Sequence, residues 1–261
     1  MVFSRNSLED LYRRLNRRCY VHPDPLEFLY RYDRPDDREV AALVASSLAY
    51  GRVRQILRSV SSVLDVLGPR PASHLTNVRP AGLRRALAGF RHRFATGEHV
   101  AALLLAAKRL IADYGSLGNC FAGMVTGQDE TVLPALRGFA AQLSTAAERD
   151  CGHLLPDPAR GSACKRLNLM LRWLVRRDEV DPGGWDCVSP AKLVVPLDTH
   201  MHRIARAMGA TRNKAADIRT ALEVTAAFRR IAPEDPVRYD FALTRLGIRS
   251  DMDLRELLDR S

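Results

Sequence analysis

The chain has 261 residues, 40 Lys and Arg against 30 Asp and Glu, a net charge of +10 and 46% hydrophobic residues. Such a balance excludes wholesale disorder, and the length suffices for a sizeable core without disulfide or metal staples. No apolar run approaches the ~20 residues of a membrane-spanning helix, so the expectation is a cytoplasmic protein with no membrane contact.

In chain order, Leu8, Leu11, Tyr12, Leu15 and Cys19 recur at three- and four-residue spacing and predict a helix over about 7–19. Pro25 starts a short helix through Leu29. Asp36 and Asp37 read as caps for an apolar helix from Glu39 to Tyr50, which Gly51 ends; a second runs over 52–67 and stops at Gly68-Pro69. Residues 69–80 read as loop, followed by helices near 81–88, 98–114, 116–123 and 132–149. After a break rich in Pro and Gly, helices are expected over 162–177, 199–208 and 213–231, with a pair after Pro233 and Ser250. Val194-Val195 is the nearest approach to a strand. The fold is therefore expected to be all-α, with a central helical domain over 36–150. Residues 1–35 would pack with 151–261 as a second lobe of one integrated, monomeric unit.

Five cysteines (Cys19, Cys120, Cys151, Cys164, Cys187) are scattered without any Cys-x-x-Cys spacing. No zinc ribbon, iron–sulfur cluster or disulfide framework is expected, and no cofactor is required. An isoelectric point near 9.8 points toward nucleic acid as partner. Lysine is scarce: Lys108, Lys165, Lys192 and Lys214 are the whole set, and every other basic residue is Arg.

Chemistry concentrates in two stretches, Leu154–Trp173 and Val195–Gly209. In the first, a Pro/Gly turn feeds a helix, and the small residues Gly161, Ser162 and Ala163 stand where backbone amides could meet a phosphate. Lys165 follows in the first turn, where desolvation, the helix dipole and Arg166 favour the uncharged amine that a nucleophile needs. In the second stretch Asp198 begins a helix, so capping and chemistry are both open to it. His200 and His202 point to different helix faces and do not form a metal pair, although His200 could touch a phosphate. Arg52, Arg54, Arg166 and Arg203 could track a nucleic-acid backbone, or be a solvated face. Trp185 could stack on an extruded base, or pin its loop to the core. Asp178, Glu179 and Asp181 read as solvated loop charges.

The order Leu-Pro…Gly161-x-x-x-Lys165, then Pro196-Leu-Asp-Thr-His-x-x-Arg-Ile-Ala-Arg, resembles the helix-hairpin-helix DNA glycosylase superfamily. Glu39–Leu57 resembles the opening helix pair of those enzymes. Gly161-Ser-Ala-Cys-Lys-Arg-Leu-Asn and Pro196-Leu-Asp-Thr-His resemble more closely an uncharacterised, mainly bacterial family within reach of that superfamily. The resemblance implies a two-lobed helical fold with Lys165 as Schiff-base lysine and Asp198 as the essential aspartate. It makes 162–177 the second helix of the hairpin, and the glutamine that usually ends the opening helix and probes the DNA is replaced around Tyr50-Gly51, so Tyr50 joins Trp185 as a base-pocket candidate. The implied partner is double-stranded DNA with a damaged base, an oxidised purine first because the insert 178–193 resembles the archaeal 8-oxoguanine enzymes. The alternative is a non-catalytic binder of DNA or structured RNA. Ala163 replaces the second hairpin glycine, and the cluster cysteines of endonuclease III are missing.

Overall fold

Three leucines on one stripe, Leu8, Leu11 and Leu15, bury the first helix, α1 (Arg5–Leu15), and Ser4 caps it by accepting the Ser7 amide. A computed structural model describes this and the rest of residues 4–158 and 161–248. The helix is shorter than its periodicity predicts, because Cys19 falls in a separate turn, Arg18–Tyr20, of the tighter 3-10 type. Pro25–Arg31 is another such turn, entered through Asp24, whose carboxylate accepts the Leu26 amide.

The centre of the molecule is α2 (Pro35–Ser47), buried almost without interruption from Glu39 to Ser47. It packs against the Pro25–Arg31 turn and against α3 (Val53–Leu67), α4 (Pro71–Asn77), α7 (Leu117–Ala122) and α9 (Lys165–Val175). Its first turn contains Asp36 and Asp37 rather than following them. Asp37 is buried: its carboxylate binds Arg70 at 2.8 Å and accepts the Ala72 amide at 2.9 Å. That distant cap makes α4 a helix where 69–80 reads as loop. Pro71 at the first helical position needs no partner for its missing N–H.

A second hub is α6 (Gly97–Tyr114), packed on α5 (Pro80–Leu87), α7 and α8 (Leu133–Ala146). Between α5 and α6 lies a two-stranded antiparallel hairpin, β1 (Arg91–His92) and β2 (Ala95–Thr96), that sequence periodicity did not indicate. The described residues end with α10 (Thr199–Ala207), α11 (Ile218–Arg229) and α12 (Asp240–Ile248), which packs on both α10 and α1. Asp217 caps α11 and so delays its start from the expected Asn213. The helix expected after Ser250 lies outside the described residues.

The fold is all-α apart from the one hairpin. Its buried apolar side chains form one continuous cluster from Leu8 to Leu246 across both expected lobes, with α2 at their junction. No helix among the described residues is long and apolar enough to cross a membrane.

Candidate functional site

α9 begins three residues later than expected because the chain makes two left-handed steps before it, at Gly161 (φ 76°) and Cys164 (φ 45°). Gly161 takes the first at little cost; a Cys in that region is held there by its surroundings. The Gly161 carbonyl accepts the Ile218 amide at 3.1 Å, the Ser162 hydroxyl accepts the Cys164 amide at 3.2 Å, and buried Asn168 donates to the Ala163 carbonyl at 3.0 Å. The turn is thereby fixed from α11 and from inside α9, and Lys165 leaves it as the first helical residue.

The second half comes from α10. Asp198 is extended and caps the helix, its Oδ1 accepting the Met201 amide at 2.8 Å. Its other oxygen, Oδ2, lies 3.1 Å from Lys165 Nζ, with the two side chains 24% and 32% exposed. Capping and pairing use different oxygens of one carboxylate. Burial raises the Asp198 pKa, but Lys165, the Met201 amide and His200 outweigh it and hold the carboxyl below its ordinary range. Asp198 is therefore an anion at neutral pH, partly open to solvent and next to an amine.

Behind this pair is a charge cluster with a buried centre, Arg172, Arg176, Asp181 and Asp240. Arg172 of α9 donates to Asp181 at 3.1 and 3.2 Å and pairs with Asp240 of α12. Arg176 binds Asp178 at 2.8 Å, Asp235 at 2.9 Å and Asp181. Burial pushes the Asp240 carboxyl up to about 6, against the pull of Arg172 and with the negative charge of Asp198 adding to the rise. Sequence reading placed Asp178 and Asp181 in a solvated loop; the structure buries Asp181 completely, because Arg172 of α9 and Arg176, which caps its end, face inward and need its charge.

Other expected site residues divide sharply. Arg52 and Arg54 at the start of α3, and His200 and Arg203 on α10, are exposed on the surface. Gly161 and Ser162 are exposed too, whereas Ala163 is buried and the Cys164 amide is already taken by Ser162. Arg166 does not reach outward: it donates to the carbonyls of Ser47, at 2.7 Å, and His153, and its guanidinium lies 5.0 Å from the Tyr50 ring. It ties the end of α2 to the segment before α9. Tyr50 is half-buried beside it, its hydroxyl donating to the His92 carbonyl at 3.1 Å.

Trp185 is buried against the core. Its indole N–H donates to Glu39 at 3.0 Å and its ring stacks on Phe121 with centroids 5.3 Å apart. Glu39 also accepts the Leu117 and Gly118 amides, so one buried carboxylate joins α2, α7 and the insert after α9. The expected hairpin is likewise incomplete among the described residues. One 3-10 turn, Gly152–Leu154, precedes the Gly161 turn, where Gly152 at φ 56° and Pro156 and Pro158 oppose a longer helix. Among the described residues no group of three His, Cys, Asp or Glu side chains is placed to hold a metal ion, and all five cysteines are free thiols.

A family described as protein of unknown function (DUF2400) matches residues 24–249, a span holding Lys165, Asp198 and the whole charge cluster. The chain belongs to this family. No curated protein and no solved structure matches the chain. The family's match runs across both expected lobes, as does the hydrophobic core.

Sequence reasoning missed two residues that shape the site and one exposed aromatic outside it. Asp240 and Asn168 carried no local signal, since each matters only through a partner far away or across a turn. Phe94, on the tip of the β1–β2 hairpin, carried one: an aromatic in the run Arg91-His-Arg-Phe94 after a glycine-bounded break.

Proposed function

We propose that the protein is a DNA repair glycosylase with abasic-site lyase activity, using Lys165 as nucleophile and Asp198 as its anionic partner. The observation that carries this reading is the 3.1 Å approach of Lys165 Nζ to Asp198 Oδ2 across 33 residues of sequence, with both side chains reachable from solvent. The resemblance of the flanking motifs to helix-hairpin-helix glycosylases supports it. The substrate is double-stranded DNA carrying a damaged base, an oxidised purine first.

The sugar C1′ is out of reach within the base stack, so the target nucleotide has to be extruded. Asp198 helps pass the extra proton of Lys165 to water, and the free amine then attacks C1′, forming a C–N bond as the glycosidic bond breaks; the base leaves with the bonding pair and takes a proton from water. Opening of the C1′–O4′ bond moves a proton from nitrogen to O4′ and produces a Schiff base. Loss of a C2′ proton expels the 3′ phosphate, and hydrolysis returns the lysine. Asp198, ionised because Lys165 and the Met201 amide hold its pKa down, stabilises the positive charge that develops on the sugar.

Borohydride trapping tests this with duplexes bearing 8-oxoguanine or an abasic site. A covalent adduct is expected with the native protein and not with Lys165→Gln, and absence of an adduct on both duplexes overturns the reading. A second reading, a non-catalytic binder of DNA or structured RNA, draws on the inward placement of Trp185 and Arg166. Salt-sensitive duplex binding without any adduct would select it.

A further inference from the structure

We propose that the tip of the β1–β2 hairpin is a stacking contact for a nucleic-acid base, made by Phe94 between phosphate-binding arginines. Phe94 is 64% exposed, against 40% for Val53 and Tyr114, the other exposed large apolar side chains among the described residues. Leaving a phenyl ring in water is unfavourable, and here the backbone holds it there.

The base of the hairpin is anchored on three sides. His92 is completely buried, with Nδ1 2.9 Å from the Ser59 hydroxyl and Nε2 3.0 Å from the Tyr50 carbonyl. Tyr50 donates back to the His92 carbonyl, and Gly97 donates to the Phe90 carbonyl at 3.0 Å. At the tip Arg93 adopts a left-handed backbone, φ 52°, and lays its side chain over Gly51, where a Cβ would come within 2.8 Å of Arg93 Cδ. A ring presented on such a support has little freedom left to lose when it is covered.

The surroundings select the occupant. The Phe94 ring lies 5.2 Å from the His153 ring and 5.6 Å from the Arg93 guanidinium, so it offers a π-face within a cationic setting. Arg52, Arg54, Arg91 and Arg93 are all exposed, and neither 50–60 nor 89–97 contains an acidic residue. A protein partner would call for a wider apolar patch; one aromatic among arginines matches a base and its flanking phosphates. The tip also joins the candidate site through a short run of contacts. Arg166, next to Lys165, donates to the His153 carbonyl, and the His153 ring meets Phe94. An unpaired or extruded base is therefore the ligand, and the arginines make the contact salt-sensitive.

The inference rests on the nucleic-acid part of the proposed function and is independent of Lys165 chemistry. Its test compares the native protein, Phe94→Ala and Phe94→Trp on a duplex with one unpaired base and on the same duplex fully paired, with thermal melting as a check that the exposed change leaves the fold intact. Phe94→Ala is expected to weaken binding of the unpaired-base duplex about 5- to 150-fold, the loss of one base–aromatic stack. Phe94→Trp is expected to restore it, with quenched tryptophan fluorescence on binding; Trp173 and Trp185 are both buried, so the new indole reports the tip. Unchanged affinity in Phe94→Ala, or an unquenched indole in Phe94→Trp, overturns the inference while leaving duplex binding in place. Failure of the native protein to bind either duplex overturns both readings. A Phe94-dependent affinity without borohydride adduct removes the catalytic reading alone.

Discussion

Asp198 shows how one carboxylate can serve structure and chemistry together, since its two oxygens have different partners. Because Lys165 is the chief opponent of the burial effect, Lys165→Gln is expected to raise the Asp198 pKa, measured by carbon-detected NMR titration of its carboxyl. The sign for stability follows: a carboxyl depressed in the folded state stabilises the protein above its unfolded pKa, about 4. That contribution is lost as pH falls through the lower folded value. Acid unfolding of Lys165→Gln should accordingly begin at higher pH than that of the native protein. An unmoved Asp198 titration would mean that the pair is not formed in solution. Both residues were legible in the sequence, Lys165 from its scarcity and its turn, Asp198 from its place before a helix. Trp185 pins its loop to the core, one of the two roles the sequence left open, whereas Asp181 was misread because a loop full of Gly, Pro and acid looks solvated, and only its distant partners Arg172 and Arg176 draw it inside.

At the scale of elements, caps and close approaches decide what periodicity leaves open. The helices with strong apolar spacing, α3 and α6, lie nearly where the sequence puts them. α4 was missed because its cap, Asp37, is thirty-odd residues upstream, and the β1–β2 hairpin because strands of two residues have no period to detect. Gly97, the first residue of α6, marks another such constraint: a Cβ there would be 1.8 Å from the Leu87 carbonyl oxygen at the end of α5. Gly97→Ala must push the two helices apart, and overpacking of this kind costs roughly 1–3 kcal/mol. Urea denaturation should show that loss, and a midpoint equal to the native one would mean that α5 and α6 are looser than described.

For the whole molecule, the enclosed charges matter more than the surface ones. Arg172 and Arg176 are each surrounded by aspartates from the insert and from α12 or its approach, and Arg172, Arg176, Asp181 and Asp240 have almost no water to fall back on. Removing one partner of such a set strands the others, at a cost of roughly 3–5 kcal/mol. Asp181→Asn, which leaves two guanidiniums short of one charge, is expected to lose stability in that range by chemical denaturation. A loss below about 1 kcal/mol, the size of a surface ion pair, would show that water reaches the cluster. None of this was readable in advance, because ordinary sequence reasoning sends arginine outward, and Arg172 and Arg176 point in.

The same arrangement joins the two ends of the described chain. Glu9 of α1 receives two bonds from Arg238 and one from Tyr239, and Asp24 pairs with Arg245. Lys165 thus belongs to a body whose first and last walls are made more than two hundred residues apart. On a translating ribosome, α9 emerges well before Asp235 and Asp240 exist, with Arg172 and Arg176 still lacking those counter-charges. The nascent chain can build the α2–α8 helices as they appear, but the ground beneath Lys165 sets only when α12 emerges to dock.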